Sequence, residues 1–77
     1  MKAAEVASAL GTRKTVRITY QRSTETYRVD LCLGRTVLAA LDDEITDEGK
    51  AETRAAFAAL LFGHDTTRLD VTREDVP

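Results

Sequence analysis

The sequence predicts a small single α+β domain: a three-stranded, antiparallel-type sheet, made of a hairpin and a C-terminal strand and packed by helices, in the order α-β-β-α-α-β. Three observations carry this reading. Apolar and polar residues alternate through 15–33, the period of half-buried strands. An alanine-rich apolar stretch follows at about 47–62, where the period is helical. A second alternating segment closes the chain at about 67–72. Seventy-seven residues leave room for one core, so 1–77 is read as one domain.

The elements follow in order. Ala3, Val6, Ala7 and Leu10 recur at helical spacing ahead of Gly11, which predicts a short helix over 3–10. A helix this short is marginal alone and must dock to persist. From Thr15 onward Val16, Ile18 and Tyr20 alternate with polar residues, and Tyr27, Val29, Leu31 and Leu33 do the same on the return. The apolar positions are even in one strand and odd in the other, so a shared face requires a turn of even length. A four-residue turn over 22–25 suits the Ser-Thr centre better than a tight primed turn, which favours Gly or Asn. That register sets Tyr20 against Tyr27, Ile18 against Val29, Val16 against Leu31, and Arg17 against Asp30 on the other face. A one-residue slip would turn every side chain over.

Gly34 ends the second strand, and Val37, Leu38, Leu41 and Ile45 then recur at helical spacing, which predicts a short helix over 35–43. A third strand at 36–41 is the alternative, because a short apolar run does not separate the two by period. Thr46, Asp47 and Glu48 read as a helix start, with a hydroxyl to cap and carboxylates against the positive end of the dipole. The main helix then runs to Phe62, with Gly63 as its stop. Phe57, Leu60 and Leu61 are assigned to its inner stripe. So few polar residues remain on its last two turns that cover on more than one side is expected. Leu69 and Val71 mark the closing strand, and a charged tail follows.

Composition narrows the classes. At 43% hydrophobic and 31% charged, the chain has the apolar content to bury a core, which a disordered chain lacks. Its longest apolar run, 55–62, is far below the roughly 20 residues of a bilayer span. Glu5 interrupts the opening residues and nothing resembles a signal peptide, so a cytoplasmic chain is expected. Cys32 is the sole cysteine, which excludes an internal disulfide and a multi-thiolate metal site within one chain. Residues 1–41 carry seven Lys/Arg against three Asp/Glu, and 42–77 carry four against ten. One part is net +4 and the other −6, an asymmetry that bears on partners.

The chemistry-bearing residues form no catalytic set. Nucleophilic catalysis needs a nucleophile, a base and an orienting group. Cys32, Ser8, Ser23 and the single histidine, His64, are not tied together by any spacing. Cys32 is expected to be a structural thiol, and His64 a polar residue whose cationic form suits a helix C-terminus. The acids Asp42, Asp43, Glu44, Asp47 and Glu48 invite a divalent cation, but an EF-hand frame from Glu44 puts Ala55 where the distal Glu belongs. No metal and no cofactor are therefore expected. The same acids suit contact with a basic protein surface.

The predicted element order is also that of one version of the KH RNA-binding fold. That fold grips phosphates with a GXXG loop. Here Asp42, Asp43, Glu44, Asp47 and Glu48 occupy the corresponding stretch and would repel phosphate. A separate route to nucleic acid runs through the polar face of the hairpin, with Arg13, Lys14, Arg17 and Arg28. Free sheet edges and the apolar end of the main helix favour association, with homodimerisation expected and cover by the N-terminal helix as the alternative. The functional expectation is a small non-enzymatic regulator or inhibitor that contacts a basic protein surface through 42–48. A nucleic-acid-binding module is the rival.

Overall fold

The computed structural model describes residues 14–63 and 68–77. The expected helix at 3–10, with Arg13, His64 and Ser8, lies outside the described residues. The hairpin forms as the alternation requires: β1 (Lys14–Gln21) pairs antiparallel with β2 (Thr26–Leu33) in the expected register, Tyr20 against Tyr27 and Val16 against Leu31. The turn has four residues, with Glu25 in the left-handed region at φ 56°. The Thr24 and Thr26 hydroxyls meet at 2.6 Å across its end.

The expected helix at 35–43 is instead a third strand, β3 (Thr36–Ile45), antiparallel to β2. Gly34 ends β2 as expected, but it opens a hairpin turn rather than leading into a helix. Its φ of 61° is open to glycine at little cost, and it lets Leu33 pair with Thr36 across a two-residue turn. Three register shifts then interrupt the ladder with β2. Each bulge adds a residue, so the strand loses the period of two by which it could have been read.

Asp47 starts the helix α1 (Glu48–Leu61) by accepting from the Lys50 amide at 2.9 Å. The cap is thus its carboxylate and not the Thr46 hydroxyl. Fourteen helical residues rise about 21 Å, which returns the chain to the end of the sheet where β1 begins. The last strand, β4 (Asp70–Val76), therefore runs parallel to β1, with Thr15 against Asp70 and Gln21 against Val76. The expected closing strand at 67–72 is displaced toward the C-terminus, and the expected charged tail is its second half. The Arg22 amide extends the ladder to the Val76 carbonyl at 2.9 Å.

The result is a four-stranded mixed sheet in the order β3-β2-β1-β4, with one helix among the described residues and the element order β-β-β-α-β. This replaces the expected three-stranded sheet and its α-β-β-α-α-β order, and with it the parallel to KH proteins. The core lies between sheet and helix: Val16, Ile18, Val29, Leu31 and Ile45 meet Ala51, Ala55, Ala58 and Ala59. Among the described residues, no helix is long and apolar enough to cross a membrane.

Candidate protein-binding surface

The helix buries four of its five alanines and exposes its large apolar residues. Ala51, Ala55, Ala58 and Ala59 share one face and are at most 6% exposed. Phe57, Leu60 and Leu61, expected as the inner stripe, are 64%, 57% and 63% exposed, and Phe62 is 41%. The reason is distance. An alanine stripe brings the helix backbone close to the sheet and leaves no volume for larger side chains.

Arg54, Phe57 and Leu61 line the flank of α1 that faces β3. With Val29, Leu41 and Phe62 they bound an open groove of about 250 Å³. Its floor is apolar. At its rim Asp42 binds Arg54, Oδ2 to Nη1 at 2.7 Å. The groove is a shallow, open trough beside an edge strand rather than an enclosed cavity.

The five acids of 42–48 divide by role. Asp42 is held by Arg54, Asp47 caps the helix, and Glu48 binds Arg73, which also reaches Glu52 at 3.2 Å. The hydrogen bond to Glu48 and the charges of Glu48 and Glu52 push the Arg73 guanidinium above its ordinary pKa, against a smaller opposing effect of burial. Asp43 and Glu44 remain exposed beyond the groove, with Glu44 in the left-handed region at φ 56°. Spacing alone could not separate the structural acids from the exposed pair, because their partners, Arg54 and Arg73, come from other elements.

The basic set is largely neutralised on the face of the sheet away from α1. Arg28 donates from Nε to Asp30 at 2.9 Å, and Arg17 lies 3.7 Å from Glu74. Asp30 does stand opposite Arg17, as the register requires, yet its ion pair is with Arg28. Lys14 is exposed at the start of β1. Cys32 is 1% exposed, while Ser23 lies in the hairpin turn and accepts from Gln21 Nε2. No group of three or more His, Cys, Asp and Glu side chains is placed to hold a metal ion among the described residues.

Compared with family models, curated proteins and solved structures, the chain matches none. The surface itself therefore carries the functional argument.

Proposed function

We propose that the protein is a small non-enzymatic regulator or inhibitor that acts by binding another protein through the groove between β3 and α1. One observation carries this: Phe57, Leu61 and the capping Phe62 line the groove and stand exposed at the end of a helix that packs on the core through alanine. Apolar clusters of this kind persist on soluble domains chiefly where something binds them. Asp43 and Glu44 flank the groove and would attract a partner with a basic rim. Charges so placed act mainly on association rate. A cytoplasmic setting belongs to the same reading, because the one thiol of the chain is free and buried.

The test is affinity capture from the native host with the full chain, beside a Phe57→Glu/Leu61→Glu variant and an Asp43→Asn/Glu44→Gln variant. A genuine partner is retained by the native chain, lost from the first variant and bound more slowly by the second. Retention by the Phe57→Glu/Leu61→Glu variant, with its fold intact by circular dichroism, would overturn the groove as the contact. The rival reading, nucleic acid on the basic hairpin face, has weaker support because Arg17 and Arg28 already meet carboxylates. A gel shift at low salt that weakens steeply as salt rises would favour it.

A further inference from the structure

The two edges of the sheet differ in chemistry. β4 carries Asp70, Arg73, Glu74 and Asp75 within seven residues, and such charges discourage an added strand. β3 carries no charge from Thr36 through Leu41, and Val37 and Leu38 are 42% and 46% exposed there. No strand lies along its outer side among the described residues. Charge sits at the two ends of this segment instead. The exposed Arg35 precedes it, and Asp42, Asp43 and Glu44 follow it. Of these, Arg35, Asp43 and Glu44 form no ion pair among the described residues.

We propose that β3 pairs antiparallel with β3 of a second copy across a two-fold axis, with Thr36 opposite Leu41, Val37 opposite Ala40, and Leu38 opposite Ala39. Residues directly opposite in an antiparallel pair point to the same face. Thr36 is paired with Leu33 and so faces the helix, while Leu41 packs against the core on that same side. Val37 and Ala40 are paired with Cys32 and Asp30 and face the other way. In a regular strand this register would oppose residues of unlike facing. The bulge that places Leu38 between the partners of Cys32 and Leu31 removes the conflict.

Charge selects both the direction and the occupant. Antiparallel pairing brings Arg35 of each copy beside the acidic end of the other, twice by symmetry. Parallel pairing would set Arg35 against Arg35 and acid against acid. Both halves of the complementarity flank one uncharged strand segment, Thr36 to Leu41, so the matching partner is this chain itself. The groove of Leu41, Phe57 and Leu61 lies beside the joint and would widen into a trough shared by two copies. Self-pairing is measured with no other protein present, so its failure would leave the groove reading standing.

The experiment is sedimentation equilibrium on the full native chain, Arg35→Glu, Asp43→Lys, the combined Arg35→Glu/Asp43→Lys chain, and an equal mixture of the two single variants. The native chain should dimerise. Each single reversal should weaken self-association by about tenfold or more, since like charges then meet twice. Both the combined variant and the mixture should recover association, because residues 35 and 43 again meet as opposite charges. A native chain monomeric at all concentrations, or a dimer indifferent to the reversals, would overturn the proposal. So would a mixture that stays monomeric. Both residues are exposed, so thermal melts should show that every variant remains folded.

Discussion

Asp30 is 1% exposed on the face that alternation assigns to solvent. Its charge is met by Arg28, whose side chain is 48% exposed. The two members of the pair therefore stand in different environments. Arg28→Ala strands a buried carboxylate and should cost about 2–3 kcal/mol, whereas Asp30→Asn removes the charge and keeps an acceptor, at about 1 kcal/mol. Urea unfolding of both variants checks the order, and a larger loss for Asp30→Asn would contradict it. Tyr27 gives a second test at this scale. Its ring lies 4.7 Å from that of Tyr20, and burial, followed by the charge of Glu48, raises its phenol above the ordinary 10.0. A folded value above the unfolded one means that the neutral phenol favours the fold. That contribution is complete below the ordinary value and is lost as pH rises through the folded one. In Tyr20→Phe, Tyr27 is the remaining phenol of the chain, and its absorbance titration should have a midpoint above 10.0. A midpoint at or below that of free tyrosine would refute the direction. The cross-strand pair itself was legible in the sequence, because parity and turn length together fix a register. The burial of Asp30 was not, since alternation assigns a face and does not reveal what covers it.

Among the elements, α1 is in the expected place but turned over. Periodicity located it to within a residue at each end, yet its sides are reversed: alanine faces inward while Phe57, Leu60 and Leu61 face outward. A hydrophobic stripe is ordinarily assigned to the largest apolar residues. That rule fails where the sheet already supplies bulk through Val16, Ile18, Val29 and Leu31 and the helix must lie close. Substitutions should therefore run opposite to side-chain size. Ala55→Leu overfills a position that is 0% exposed and should cost about 1–3 kcal/mol. Phe57→Ser should change stability by about 0.5 kcal/mol or less. Thermal melts of the two variants decide it, and a Phe57→Ser loss as large as that of Ala55→Leu would restore the expected stripe. β3 was misread for a different reason. Its three bulges erase the strand period, and Gly34 signals a chain break equally well before a helix or a hairpin.

At the scale of the whole molecule, the charge asymmetry is partly internal. Arg17 and Arg22 in the basic part lie within 3.7 Å of Glu74 and Asp75 in the acidic part, so the split helps match β1 to β4. Exposed pairs of this kind contribute about 0–1 kcal/mol each and guide register more than they add stability. That matching is also the most demanding step in the topology. β1 and β2 meet through a four-residue turn and β2 and β3 through a two-residue turn, so the meander assembles from local contacts. β4 can dock only after α1 has crossed the sheet, pairing residues from opposite ends of the described chain. Loop closure must precede the contacts that reward it, so the β1–β4 ladder should form after the folding barrier. Val29→Ala in β2 should slow folding, whereas Val71→Ala in β4 should leave the folding rate nearly unchanged and speed unfolding. Stopped-flow chevrons of the two variants separate these outcomes. If Val71→Ala slowed folding as much as Val29→Ala, β4 would belong to the nucleus, and the pairing of basic and acidic parts would guide folding from its start.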